Sequence, residues 1–503
     1  MPAKRTERVE DVQAIHRWAS VLELLEARGY IKNIAGDRNV LSNLLRKKQV
    51  GVYAGIDPTA PSLHLGHLLP LMVLFWVYLH GHHAVSLIGG ATARVGDPSG
   101  RLKSRERMAS SVHASNAQSL HVQVETLWQN AIASGQKHGH EQKPEWRRKL
   151  LDNADWLGKV DIVSFLQLLG SGMRIGTMLG RDTVKNKLEK GDGMSFAEFS
   201  YPLLQAWDWW HMFSNHGVQL QIGGSDQYGN IVAGIDAIKH ITQNGDERSV
   251  KLDDSSAPMG ITVPLLTTSK GEKFGKSAGN AVWLDASLTS PFDLYGFLLR
   301  TTDEDVPRHL NLFTFLPVAA IESLLEEHSK SPGKRLAHHA LATEVLQLVH
   351  GPEVAAETRA KHEVMRRPSL ASLVSKSVTP GEDPGITTST TETQQETIKL
   401  ARSQIENASL AKILYQAGLA PSVSAATRAI KSGGVYVASS QSSSTSMNEV
   451  ETANEEGLTF APVSVDSRLE DIASFLQDGL IVVRMGKWKV RVIEVDDDQQ
   501  VSS

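Results

Sequence analysis

Val50-Gly51-Val52-Tyr53-Ala54-Gly55-Ile56-Asp57-Pro58-Thr59-Ala60-Pro61-Ser62-Leu63-His64-Leu65-Gly66-His67 is the stretch on which the fold reading turns. Val50–Gly55 is a short apolar run that stops just before Asp57-Pro58, as a buried strand does. From Leu63 the chain is almost continuously apolar to Leu79, which predicts a buried helix. A strand followed at once by a helix is the first half of a β-α-β unit.

Reading outward, the pattern repeats. Ala84–Gly90 and Val218–Gly224 are strand-like and both end in Gly-Gly, and Ile261–Leu266 is a fourth strand-like run. Strands separated by helices predict an α/β fold with a Rossmann-like, mostly parallel sheet. Ligands on such sheets bind beyond the carboxyl ends of the strands. Three of the four runs lead directly into polar motifs.

The flanks differ in character. Residues 8–29 read as an amphipathic helix with Val9, Val12, Ile15, Val21, Leu24 and Leu25 on its apolar face. Residues 292–366 show helical stretches, notably Ala319–Glu327 and Lys334–His350, and no clear strand. Residues 374–397 have a Ser/Thr/Gly/Pro composition suited to a linker. Ile398–Val437 returns to helix then strand, 439–457 reads as a loop, and 480–495 alternates like a strand pair around Gly486. The expected divisions are an N-terminal helical extension (1–45), a catalytic Rossmann-like domain (46–285), an α-helical domain (286–373), the linker (374–397) and a small α+β domain (398–503).

Bulk properties exclude several classes. With 503 residues the chain has room for roughly three domains. A net charge of −4 carries no global basic signal, so nucleic-acid contacts must come from local patches. The absence of cysteine excludes disulfides, zinc–thiolate sites, iron–sulfur clusters and cysteine nucleophiles. The longest apolar run, Leu68–Leu79, is short of the ~20 residues that span a bilayer, so no membrane segment is expected. Lys4, Arg5 and Arg8 alternate with Glu7, Glu10 and Asp11, unlike an acid-poor transit peptide. Such a peptide is therefore either absent or already removed.

Two motifs suit phosphate. His64-Leu65-Gly66-His67 falls where Pro61 and Ser62 suggest a helix start, and a helix N-terminus attracts anions. Two imidazoles there offer donors to phosphate and ribose oxygens, and Gly66 allows close backbone approach. No further ligands cluster nearby, so no dedicated metal site is expected. Lys273-Phe274-Gly275-Lys276-Ser277 lies in a Gly-containing loop after the fourth strand. Its lysines can neutralise a departing pyrophosphate. It is not a Walker A loop, because Gly271 stands one residue too close to Gly275-Lys276-Ser277. Each motif alone is also compatible with incidental histidines or a solvated basic loop. Tyr201, Gln205 and Asp208, at i, i+4 and i+7, share one helix face. Asp208 suits acceptance from a phenol hydroxyl, with Tyr53 able to share it.

The two motifs together resemble the signatures of class I aminoacyl-tRNA synthetases. The resemblance narrows to tyrosyl-tRNA synthetases on Tyr53–Thr59, Gly89-Gly90-Ala91-Thr92, Gly96-Asp97-Pro98-Ser99-Gly100, Phe199–Asp208 and Gln221–Gln227, which occur in the family's order. It runs from about Ser20 to the C-terminus, and is closest to the mitochondrial enzymes of filamentous fungi. The resemblance implies activation of L-tyrosine by ATP, with Mg2+ on the phosphates, and transfer to tRNA(Tyr) in the mitochondrial matrix, the alternative compartment being the cytoplasm. It implies that Asp97, Tyr201 and Gln205 hold the substrate ammonium group, with Gln221 and Gln227 near the tyrosine and its carboxylate. Gly55, Asp57, Gly66, Gly224 and Asp226 would shape the nucleotide site. Thr59 and His64 would meet the γ-phosphate, His67 the ribose region, and Lys273, Lys276 and Ser277 the leaving pyrophosphate. Many bacterial relatives have Cys at Ala54 and Trp at Tyr228, so a thiol contact to the ribose is lost here.

The resemblance also implies a homodimer, an anticodon-binding role for 286–370, and an RNA-binding fold like that of the ribosomal S-four family from Ser409 to Val437. Arg428, Lys431, Arg484, Lys487, Lys489 and Arg491 are the candidate phosphate contacts. Additions relative to bacterial relatives, before Ser20 and near Ile132–Trp146 and Asn244–Pro258, match fungal mitochondrial enzymes. Some of these also bind group I intron RNA and assist splicing. The alternatives are a tryptophanyl-type synthetase, against which Tyr53 and Asp208 argue, and a non-catalytic RNA-binding scaffold, against which the intact histidines and lysines argue.

Overall fold

The computed structural model describes residues 20–104, 108–140, 146–244, 252–267, 276–277, 280–366, 398–401, 408–439, 459–463, 480–486 and 489–496. Two compact units result, one running to Arg359 and the other starting at Ala360.

The first unit is built on a six-stranded sheet. Its strands are β1 (Asn33–Ala35), β2 (Gly51–Ile56), β3 (His83–Ile88), β4 (Arg148–Asp152), β5 (Val218–Gly224) and β6 (Met259–Val263). Their spatial order is β1-β6-β5-β2-β3-β4, parallel throughout except for the antiparallel edge strand β1. From β2 the chain builds outward through β3 to β4 on one side, and later through β5 to β6 on the other. The order therefore reverses at the β2–β5 boundary, where the strand-end crevice of such sheets opens.

The four expected strands are all present, within two or three residues of their expected bounds. β1 and β4 were not anticipated: one is three residues long, and the other, Arg-Lys-Leu-Leu-Asp, has charged ends that break the apolar pattern. The helix Leu65–Leu79 packs on the sheet with nearly every side chain buried, which is why its sequence lacks a polar face. It starts at Leu65 and not at Pro61–Ser62: the Ser62 hydroxyl instead accepts from Asp285 N at 3.1 Å. Near the N-terminus, Ser20 caps a helix over Val21–Ala27, and the part of the expected amphipathic helix before Ser20 lies outside the described residues.

The helical region shares this core. Pro291–Leu299, Val306–Phe313, Val318–Lys330 and Leu336–His350 bury Leu294, Leu310 and Leu341 in one continuous cluster with Leu68, Phe75 and Trp128. Buried Arg28 reinforces the join by donating to the carbonyls of Asn311 and Thr314, each at 3.0 Å, while lying 4.4 Å over the Trp76 ring.

The second unit is α+β. Its five-stranded sheet has the order Thr459–Pro462, Val435–Ser439, Leu480–Met485, Lys489–Asp496, Ile398–Ala401. The helices Leu410–Gln416 and Val423–Lys431 supply Leu414, Ala426 and Ile430 to a core with Val437, Ile481 and Val483. It opens with a strand, where helix was expected first, because Ile398–Ala401 pairs in parallel with Ile493–Asp496. The expected linker lies outside the described residues.

Candidate active site

A cavity of about 600 Å³ opens at the carboxyl ends of β2, β3 and β5. Every nucleotide- and tyrosine-site candidate lines it: Tyr53, Gly55, Asp57, Gly66, Asp97, Tyr201, Gln205, Asp208, Gln221, Gly224, Asp226 and Gln227, together with Thr59, His64 and His67. Strand geometry explains the convergence. Tyr53 and Gln221 are register partners on neighbouring strands, so both side chains leave the same sheet face.

The histidine motif is held by its own backbone. His64 is the N-cap of Leu65–Leu79, and its Nδ1 accepts from Gly66 N at 3.1 Å. His67 reaches back, its Nδ1 accepting from His64 N at 3.1 Å, which makes a capping box from two imidazoles. The rings stack with centroids 3.8 Å apart. With both Nδ1 atoms accepting, each neutral ring carries its proton on Nε2.

This arrangement corrects one expectation and adds a second reason for glycine at 66. The first-turn N–H groups do not await an anion: Leu65 N donates to Val282 O at 3.1 Å, Gly66 N to His64 Nδ1, and His67 N to His64 O at 2.8 Å. What the motif brings to the cavity is the imidazoles and the helix dipole. Gly66 is needed nearer home, since a Cβ there would lie 2.9 Å from Cε1 of His64 and would push the capping ring aside.

At the floor, Asp208 is buried at 2% exposure. Trp156 Nε1 donates to its Oδ1 at 2.7 Å and Asn153 Nδ2 to its Oδ2 at 2.9 Å. Burial pushes the Asp208 carboxyl up to about 8, with these two donors working the other way. Beside it the Tyr53 hydroxyl is buried without a hydrogen-bond partner, as is Oε1 of Gln221. Burial, and next the Asp208 charge, raise the Tyr53 phenol well above its ordinary value, so it stays a neutral donor.

Two further networks fix the walls. Asp57 accepts from Tyr201 Oη at 2.7 Å and from Thr92 Oγ1 at 2.8 Å, and Asn153 Nδ2 reaches Thr92 Oγ1 at 2.9 Å. Gly89 makes this possible: a Cβ there would stand 1.9 Å from Asp57 Oδ1. Gln227 Nε2 donates to Asp97 Oδ2 at 2.6 Å. The Asn230 amide faces Gln205 Oε1 at 3.0 Å, Gln227 Oε1 at 3.2 Å and Ser99 Oγ at 3.2 Å. At Gly224 a Cβ would meet Asp226 Oδ1 at 2.5 Å. The loop that carries Asp97 is tied down by buried Lys187, which donates to Ser104 Oγ at 3.0 Å and pairs with Glu198.

Asn153, Trp156 and Asn230 were not picked out from sequence, and Thr92, within a quoted stretch, was given no role. Asn153 follows the unrecognised strand β4, and the rule that ligands gather at strand ends would have indicated it had β4 been read.

Lys273 lies outside the described residues, and of Lys276 and Ser277 the backbone alone is described. Lys276–Ser277 pairs antiparallel with Asn280–Ala281. Ala281 lines the cavity, and Trp283 forms a β-bridge with His64. The backbone leaving the lysine motif is thus fastened to the histidine motif.

In the second unit Arg428 and Lys431 occupy the last turn of Val423–Lys431. Arg491 pairs with core residue Val483, whereas Arg484 pairs with Val490 and lies 4.6 Å over the Tyr436 ring. Strand alternation places Arg484 and Arg491 on opposite faces, so they do not share the single face expected of them. Lys487 and the Lys489 side chain lie outside the described residues.

A parallel sheet with a histidine-capped helix at its switch point defines a nucleotide-binding enzyme of the class I synthetase type. The family of class I tRNA synthetases for W and Y matches residues 45–365, and the tyrosyl-tRNA synthetase C-terminal domain matches 388–503. The chain belongs to the tyrosyl-tRNA synthetases, and it is a class I tyrosine–tRNA ligase. It is 41% identical to the mitochondrial tyrosine–tRNA ligase of Podospora anserina, over 99% of this chain and 77% of that one. It is 43% identical to the mitochondrial enzyme of Rattus norvegicus, over 65% of this chain and 68% of the other. A C-terminally truncated mitochondrial tyrosyl-tRNA synthetase of Aspergillus nidulans superposes with a TM-score of 0.65 at 48% identity, covering 71% of this chain and 98% of that structure.

Proposed function

We propose that the cavity performs tyrosine activation with the residue roles that follow. The tyrosine phenol enters the floor, donating to Asp208 and accepting from the Tyr53 hydroxyl. Asp97, Tyr201 and Gln205 receive the ammonium group, and Gln221 and Gln227 face the backbone end of the amino acid. ATP, the family's co-substrate, arrives as its Mg2+ complex along Gly55, Asp57, Gly224 and Asp226. The tyrosine carboxylate attacks the α-phosphate in line, forming tyrosyl-adenylate as the bond to pyrophosphate breaks. Thr59, His64, Lys273 and Lys276 stabilise charge on the departing pyrophosphate. The terminal tRNA(Tyr) hydroxyl then attacks the adenylate carbonyl and AMP leaves. No side-chain nucleophile is required; catalysis is positioning and charge stabilisation.

The observation that carries the tyrosine reading is the buried, unpartnered Tyr53 hydroxyl beside Asp208. An unpartnered buried hydroxyl costs about 1–3 kcal/mol, which a phenolic ligand repays by pairing with it. Amino-acid-dependent ATP–pyrophosphate exchange across all amino acids tests it. Exchange supported by tryptophan or phenylalanine as well as by tyrosine refutes this floor as the selectivity element.

The working form is a homodimer in the mitochondrial matrix. Ile162, Val163, Leu166, Ile175 and Phe196 are exposed large apolar side chains that a second copy would bury, and a monomeric mass in sedimentation at micromolar concentration contradicts this. The relatives bearing the mitochondrial name support the compartment. Among the described residues no helix is long and apolar enough to cross a membrane. The second unit binds tRNA through Arg428, Lys431 and neighbouring cations, so charge reversal there should weaken tRNA binding uniformly. Group I intron RNA is a further RNA partner by likeness to the fungal enzymes. Deleting residues 1–19 and measuring intron affinity decides it, and undiminished affinity removes that role for the extension.

A further inference from the structure

Away from the cavity, three side chains from separate segments of the helical region meet. Asp303 sits in the turn between Pro291–Leu299 and Val306–Phe313, His328 in the last turn of Val318–Lys330, and His338 in the first turn of Leu336–His350. Asp303 Oδ1 lies 3.0 Å from His328 Nε2 and 3.5 Å from His338 Nε2. The donor atoms of the three residues all fall within 4.8 Å of one another. The carbonyl of Thr301 approaches His338 Nε2 to 2.9 Å. His338 is fully buried and His328 nearly so, while Asp303 is open to solvent at 66% exposure and offers an entry path.

We infer that this cluster is a binding site for a divalent transition-metal ion of the zinc class. Two imidazole nitrogens and one carboxylate oxygen are the ligands, and Thr301 O or water completes the shell. Bonds of about 2.0–2.1 Å in a tetrahedron require ligand atoms about 3.3 Å apart, and the two observed separations bracket that figure. Imidazole-rich donors favour zinc, cobalt or nickel over magnesium, so MgATP does not compete. Both rings ligate as neutral imidazoles, with the Nε2 proton of His338 moving to its own Nδ1, which has no other partner, as the metal enters. Burial, and next the Arg335 charge, already lower His338 to about 4, so it is neutral at physiological pH.

One group opposes the ion. Arg335 donates to Thr301 O at 3.3 Å and bears on both Asp303 and His338. It holds a left-handed backbone with φ 55° in the link between the two helices that carry His328 and His338. The site therefore clamps that link to the Thr301–Asp303 turn. It is a structural clamp, and its loss should leave tyrosine activation intact.

The test uses the full-length protein freed of metal by chelation, titrated with Zn2+, Co2+ or Mg2+. One equivalent of Zn2+ should bind and raise the melting temperature, Co2+ should give ligand-field absorption bands, and Mg2+ should do neither. His328→Ala and Asp303→Asn should each weaken Zn2+ binding at least tenfold while leaving pyrophosphate exchange unchanged. Arg335→Asn removes the opposing charge and, since Asn tolerates a positive φ, should tighten binding. Stoichiometric binding that survives in the double variant of His328 and Asp303, or wild-type protein showing neither the Zn2+ stabilisation nor the Co2+ bands, overturns the assignment. Asp303 is exposed, so its variant remains informative if the histidine variants fold poorly.

Discussion

Trp156 Nε1 donates to Asp208 Oδ1 at 2.7 Å, while Asn153 occupies the other carboxylate oxygen at 2.9 Å. The carboxylate is thereby fixed in rotation, with its remaining lone pairs directed by two donors from a single turn after β4. Removing either donor loosens the acceptor without touching the His64–His67 end of the cavity. Asn153→Ala and Trp156→Phe should therefore raise the KM for tyrosine roughly 3–10-fold, the worth of one hydrogen bond to a carboxyl that burial holds largely neutral, and change kcat much less. Steady-state pyrophosphate exchange measures this. A fall in kcat with unchanged KM would place these residues elsewhere in the mechanism.

Tyr53→Phe should separate stability from binding. The hydroxyl is buried and unpartnered in the free protein, so deleting it should leave the unfolding midpoint equal or higher. Tyrosine binding should weaken by roughly 3–10-fold, the worth of a neutral hydrogen bond. Calorimetry with and without tyrosine tests both halves. A clear loss of stability would mean that the hydroxyl has a protein partner.

Gly89→Ala forces a methyl into the Asp57 carboxylate, 1.9 Å from Oδ1. Asp57 must rotate away from Tyr201 and Thr92, and the cavity wall they form moves with it. Exchange activity should fall at least tenfold, by analogy with the ~1–3 kcal/mol of overpacking. Activity close to the parent's would show that Asp57 can move freely.

At His64, capping and chemistry can be split. Asparagine keeps the N-cap but loses the imidazole, and alanine loses both. His64→Asn should lower kcat of activation with little change in melting temperature. His64→Ala should add a destabilisation of about 0.5–2 kcal/mol. Chemical denaturation together with single-turnover activation separates the two, and equal stability of both variants would deny the capping role.

Acid should destabilise the fold. Burial lowers His82, His140, His309 and His338 each to about 4. In the unfolded chain histidine titrates near 6.5. Between these values the unfolded state binds more protons, so the stability present above about 6.5 is lost as pH falls towards 4. Asp208 acts oppositely: folded near 8 and unfolded near the ordinary carboxylate value, its contribution is retained in acid and lost as pH rises through about 8. Four groups outweigh one, so the urea midpoint should fall steeply from about pH 7 to about pH 5. A flat profile would show that those histidines are not held neutral by burial.

Periodicity revealed β2, β3, β5 and β6 because each is a largely buried apolar run in the interior of the sheet, three of them leading into polar motifs. β1 and β4 escaped it because both are edge strands: β1 is only three residues long, and the ends of β4 are charged. The cavity lining was legible where one helix face or one tight motif carried it, as with Tyr201, Gln205 and Asp208 at i, i+4 and i+7. It was not legible where partners lay far apart along the chain. Asn153 and Asp208, separated by 55 positions, share no local pattern.

From its order of residues alone the chain determined which chemical groups it possesses, the histidine and lysine motifs and the parallel-sheet class, because these depend on composition and local period. Tertiary structure decided that His64 and His67 cap each other instead of leaving backbone N–H groups open. It decided that Tyr53 lacks a partner while Asp208 has two, and that Arg484 and Arg491 part company across a sheet. Hydrogen-bond partners and strand faces follow from register and packing between distant segments, and no local stretch of sequence contains that information.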